Sequence, residues 1–126
     1  MAEYRSTFRS YGVEFSIVSN DRDILAQASE VASRALLGRL DVVATESAPH
    51  VLRLDLVNGS IRFQVDDADH GVGPVPKLWH FFDTCVRILV AEFAVDRVFL
   101  HCGVVLWNGK SILFPGDSFT GKTTLV

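Results

Sequence analysis

Ser111-Ile112-Leu113-Phe114-Pro115 runs straight into Gly116-Asp117-Ser118-Phe119-Thr120-Gly121-Lys122-Thr123, and this junction decides the fold class. The first five residues read as an apolar strand closed by a proline. The next eight fit Gly, any four residues, Gly-Lys-Ser/Thr. Each fixed position has a physical task. Gly116 and Gly121 let the backbone curl without a side chain in the way. The amides from about Ser118 to Lys122 then point into one concavity that suits phosphate oxygens. The Lys122 ammonium reaches the β- and γ-phosphates, and the Thr123 hydroxyl is placed to ligate the magnesium ion that nucleotide phosphates carry. The expected site is therefore Gly116, Asp117, Ser118, Phe119, Thr120, Gly121, Lys122, Thr123 and Thr124, with ATP and magnesium as ligands.

A phosphate loop of this type stands between a strand and a helix, whose N-terminus offers free amides and the positive end of its dipole. The strand is present, but only Thr124-Leu125-Val126 follow Thr123. Three residues do not nucleate a helical turn. The expectation is thus the N-terminal part of a longer protein. The 126-residue chain by itself is expected to bind ATP weakly and not to turn it over.

Upstream of the loop lies a strand, Val98-Phe99-Leu100-His101-Cys102-Gly103-Val104-Val105-Leu106-Trp107, and then Asn108-Gly109, the preferred pair for a type I′ turn. A two-residue loop sets Trp107 opposite Lys110, Val105 opposite Ile112 and Gly103 opposite Phe114. Extended further, this register sets His101 opposite Gly116. His101 then has two readings: an imidazole beside the bound phosphates, able to donate a hydrogen bond or to respond to pH, or a core histidine with a satisfied ring. These two apolar strands lack neighbours in the sequence, which favours self-association.

Residues 1–96 read as an α+β region of two helices and one hairpin, ahead of a truncated nucleotide-binding domain over 97–126. Val13-Glu14-Phe15-Ser16-Ile17-Val18 alternates like a strand. Ser19-Asn20-Asp21 offers N-cap side chains to a helix reaching about Leu37, with Leu25, Ala28, Val31, Ala32, Ala35 and Leu36 on one face and Gly38 to end it. No element is assigned from Asp41 to Pro49. Around Asn58-Gly59, a type I′ hairpin pairs Leu56 with Ile61, Asp55 with Arg62 and Leu54 with Phe63. Asp66 to Pro76 reads as an acidic loop, in which Asp66, Asp67, Asp69 and His70 form a solvated turn rather than a metal site. Val75 or Pro76 opens a helix to about Ala94 that is apolar on most sides and expected to be buried.

Composition excludes several classes. With 48% hydrophobic and 21% charged residues, the chain can build one core. A net charge of −3 supplies no basic field for nucleic acid. Met1-Ala2-Glu3-Tyr4-Arg5 lacks a signal peptide, and Leu78–Phe93 is too short and too polar to span a bilayer. Two cysteines, Cys85 and Cys102, suggest neither a metal cluster nor a disulfide framework. No membrane partner is expected, and the cytoplasm is the expected compartment.

His101-Cys102-Gly103-Val104-Val105, a short turn, a second apolar strand and Gly116 to Thr123 together resemble the start of the catalytic domain of HPr kinase/phosphorylase and its HPr-kinase-related relatives. The likeness covers residues 97–126. Phosphoenolpyruvate carboxykinases are similar in nucleotide-binding architecture. The resemblance implies a mixed α/β nucleotide-binding domain that moves the γ-phosphoryl of ATP to a Ser/Thr hydroxyl on a protein, with Lys122 and His101 beside the transferred group and magnesium on Thr123. Cys102 separates His101 from Gly103, which adjoin in the family, and Phe119 stands where the family has glycine. Residues 1–96 do not resemble that family's sensor domain. Two other readings stay open: another P-loop ATPase or GTPase, and a partner-binding module with a vestigial loop. A homo-oligomer is compatible with all three.

Overall fold

The computed structural model describes residues 2–45, 47–99 and 102–115. Within them the chain is mixed α/β, with a six-stranded sheet, two helices and a separate hairpin. The first strands, β1 (Tyr4–Ser10) and β2 (Val13–Ser19), form a hairpin; helix α1 (Arg22–Ala35) and the two-residue β3 (Asp41–Val42) follow. Next come β4 (His50–Val57), β5 (Ser60–Val65), β6 (Ala68–Gly73) and helix α2 (Val75–Phe93). The sheet order is β3-β1-β2-β4-β5-β6. All neighbours are antiparallel except β2 and β4, which run parallel. A parallel pair needs a crossover, and α1 lies in that connection.

The expected strand over 13–18 is present as β2, and α1 begins where the capping side chains stand. Asp21 takes the cap, its carboxylate accepting from the amides of Asp23 (2.9 Å) and Ile24 (3.0 Å). Asn20 does something else. Its carboxamide accepts from the Leu56 amide (2.7 Å) and donates to the Leu56 carbonyl (3.0 Å), so it carries the β2–β4 pairing past the last backbone pair, Val18 with Arg53. The helix ends through Leu36, and the Gly38 amide bonds the Ser33 carbonyl at 2.8 Å. Its buried stripe is Ile24, Ala28, Val31 and Ala32, so Ile24 takes the inward place expected of Leu25, which is only partly buried.

Both helices contribute to one core against the sheet, where Phe15, Ile17, Leu52, Leu54, Ile61 and Phe63 meet Ala28, Ala32, Phe82, Val86 and Val90. Period-two alternation puts the intervening residues on the other face. There Thr7 and Ser16 share a buried hydroxyl–hydroxyl bond of 2.7 Å, Arg9 pairs with Glu14, and Arg53 bridges Glu3 (3.1 Å) and Asp55 (3.7 Å).

The Asn58-Gly59 hairpin has the expected register, from Val57 opposite Ser60 to Leu54 opposite Phe63. Other expectations are corrected. Residues 1–96 contain more than one hairpin: β1 pairs with β2 along its whole length, and β6 pairs with β5 where an acidic loop was expected. Strand β6 was hidden by a bulge. Arg62 faces Val72 and Gln64 faces Asp69, so His70 and Gly71 together oppose Phe63 and the alternation breaks. The stretch from Asp41 to Pro49 is not wholly without structure, because Asp41 and Val42 pair with Arg9 and Phe8. Helix α2 starts as expected but is buried on one face only. Leu78, Phe82, Val86, Leu89 and Val90 point inward, while Phe81, Ile88 and Phe93 remain exposed.

Among the described residues, no helix is long and apolar enough to cross a membrane.

Candidate functional site

Strands β7 (Cys102–Trp107) and β8 (Lys110–Pro115) form a two-stranded antiparallel sheet of their own. The turn residues Asn108 and Gly109 have φ of 50° and 72°, both positive as type I′ requires. The register is the one expected from the turn: Trp107 opposite Lys110, Val105 opposite Ile112, Gly103 opposite Phe114. The last described pair is Cys102 with Pro115. The expected strand over 98–107 is shorter than the sequence suggested, because Val98 and Phe99 are not in strand conformation.

His101 and every residue of the loop, Gly116, Asp117, Ser118, Phe119, Thr120, Gly121, Lys122, Thr123 and Thr124, lie outside the described residues. The described part of the site is thus its lead-in: a hairpin whose ends, Cys102 and Pro115, adjoin His101 and Gly116 in sequence. Both hairpin faces carry exposed apolar side chains. Val104, Leu106 and Leu113 share one face; Trp107 and Ile112 share the other. A bare two-stranded hairpin is marginally stable in water, so this pattern suits a surface that other elements cover.

The chain between α2 and the hairpin is tied at both ends, which the sequence did not disclose. At the helix end, the Phe93 ring lies 4.1 Å from the His50 imidazole, and His50 Nδ1 stands 3.2 Å from the Asp66 carboxylate. Asp66 also accepts from the Val51 amide at 2.8 Å. At the hairpin end, Phe99 meets Tyr11 edge-on at 5.2 Å, and the Arg97 guanidinium lies over the same ring at 5.2 Å. Aromatic contacts at such spacings have no fixed sequence separation, so no local pattern announces them.

Among the described residues no group of three or more His, Cys, Asp or Glu gathers as a metal centre would require. Asp69 accepts from the Gly71 amide at 2.8 Å across the β6 bulge, and His70 stacks on Phe63 with Phe81 tilted beside it. His80 is exposed. Both cysteines are free, and burial pushes the Cys85 thiol up, which suppresses its thiolate at neutral pH.

Comparison of the chain with protein-family models, with curated proteins and with solved structures found no match.

Proposed function

We propose that this chain carries the nucleotide-phosphate loop of an ATP-dependent phosphotransferase of the HPr-kinase-related type, acting on a Ser/Thr hydroxyl of a protein. The observation that supports this reading is the β7–β8 hairpin. Its in-register pairing up to Cys102 and Pro115 gives Gly116 the apolar strand lead-in that a phosphate loop needs. It also disfavours the reading as another P-loop ATPase, since those loops usually follow a strand of a parallel βαβ sheet.

In this reading, catalysis rests on positioning and charge rather than on covalent chemistry. The amides between Ser118 and Lys122 hold phosphate oxygens. The Lys122 ammonium neutralises charge that builds on the β- and γ-phosphates as the bond between them loosens. Thr123 offers its hydroxyl to magnesium, which supplies further neutralisation when bound. His101, one residue before β7 in the sequence, takes a hydrogen-bonding role toward the phosphoryl group in this reading.

The test is transfer of radiolabelled γ-phosphoryl from ATP to candidate protein acceptors by the full-length protein, with the Lys122→Ala variant alongside. Transfer that depends on magnesium and falls at least about tenfold in the variant is expected, since a hydrogen bond to a charged group is worth roughly 1.5–3 kcal/mol. ATP hydrolysis without any acceptor would favour the ATPase reading. Unchanged function in Lys122→Ala would favour the vestigial-loop reading.

A further inference from the structure

Among the described residues, three two-residue hairpin turns have positive φ at both central positions, and one of them has the wrong residue for it. Asn58 and Asn108 occupy the first turn positions of the β4–β5 and β7–β8 hairpins with φ of 50° each. Tyr11 occupies the same position in the β1–β2 hairpin, between the paired Ser10 and Val13, also with φ of 50°. Asparagine, aspartate and glycine visit this left-handed region readily; a tyrosine is strained there. Backbone outliers of this kind motivate a search for what the side chain does.

The Tyr11 ring is engaged on two sides by the connector that leads from α2 to the hairpin. Phe99 contacts it edge-on and Arg97 covers it with its guanidinium, each at 5.2 Å from the ring centre. Asparagine at this position would satisfy the turn but offer neither contact. The other end of the connector is held separately, by Phe93 on His50. Residues 94–99 therefore have a fixed point at each end, and the one nearer the hairpin depends on a single side chain.

We propose that Tyr11 is a positioning residue that fastens the connector over 94–99 to the β1–β2 turn and so fixes the direction in which the β7–β8 hairpin leaves the six-stranded sheet. The inference goes beyond the phosphotransferase reading and stands whether or not the loop binds nucleotide. Two kinds of contact act together here: ring edge against ring face, and cation over ring. Both survive Tyr11→Phe, and neither survives Tyr11→Asn.

Residual dipolar couplings of the isotope-labelled full-length chain test this directly. In the wild type and in Tyr11→Phe, couplings from residues 102–115 and from the six-stranded sheet are expected to fit one alignment tensor. In Tyr11→Asn and in Phe99→Ala, the hairpin couplings are expected to shrink at least twofold while those of the sheet are unchanged. Phe99→Ala leaves the turn and the Tyr11 packing against the core intact, so it separates fastening from folding. The proposal is overturned if Phe99→Ala keeps the hairpin on the common tensor at full amplitude, if the wild-type hairpin already averages independently, or if Tyr11→Phe loosens it as much as Tyr11→Asn.

Discussion

Asn20 carries more structural weight than its place beside a helix cap suggests. Its carboxamide bonds both backbone groups of Leu56, and its own amide donates to the Asp55 carboxylate at 3.0 Å. Asn20→Ala removes the two side-chain bonds and leaves the Leu56 groups to solvent, so a loss of about 1–2 kcal/mol is expected by urea denaturation. Among the glycines, Gly59 and Gly73 form a matched pair, because an added Cβ meets nothing within 4 Å at either. Only Gly59 has a positive φ, +81°. Gly59→Ala is therefore expected to cost about 1–2 kcal/mol through backbone strain alone. Gly73→Ala is expected to be neutral or to stabilise by up to about 1 kcal/mol through the unfolded chain. Equal effects of the two substitutions in denaturant titrations would contradict this. The same conformational logic made two turns readable in the sequence and hid a third. Asn58-Gly59 and Asn108-Gly109 advertise their type, whereas Tyr11-Gly12 does not, because the tyrosine is there for Arg97 and Phe99 rather than for the turn.

Elements with a strong period were legible, and those whose pattern is interrupted were not. The inward stripe of α1 from Ala28 onward and the alternation of β4 and β5 follow from spacing alone, whereas the first inward place of α1 goes to Ile24 rather than Leu25. Strand β1 has only Tyr4 and Phe8 as large apolar residues, with Ser6 and Ser10 between and after them, so its place comes from β2 rather than from its own sequence. In β6 the bulge opposite Phe63 breaks the count, and its Asp and Gly residues read as a loop. Helix α2 was found but misjudged, since an apolar composition does not say how many faces are covered. That asymmetry is measurable. Phe82 is fully buried and meets Phe63 and Trp79, whereas Ile88 is 57% exposed. Phe82→Ala is expected to cost about 3–5 kcal/mol through the cavity it leaves. Ile88→Ala should stay within about 0.5 kcal/mol. Comparable thermal destabilisation by both would mean that the Ile88 face is covered.

At the scale of the whole molecule, one core is built from one face of a six-stranded sheet and two helices, and the hairpin bearing the candidate loop stands apart from that sheet. The sheet limits both its edges. On one side is a two-residue strand, on the other a bulged one, and short or bulged edges discourage further pairing. The hairpin has no such protection and shows apolar residues on both faces. The loop motif itself was the clearest signal in the sequence, because four residue types at fixed spacing encode a backbone shape and a charge together. Its proposed chemistry rests on that spacing alone, since the loop lies outside the described residues, while the fastening of the connector was not legible, because it depends on residues separated by more than eighty positions. The proposed function requires residues 116–123 to hold nucleotide phosphates. Calorimetric titration of magnesium–ATP into the full-length protein and its Lys122→Ala variant tests it most directly. Saturable binding of one ATP, weakened roughly tenfold or more in the variant by loss of a charge-assisted bond, is the expected result. No binding by the wild type, or equal affinity in the two proteins, would contradict it.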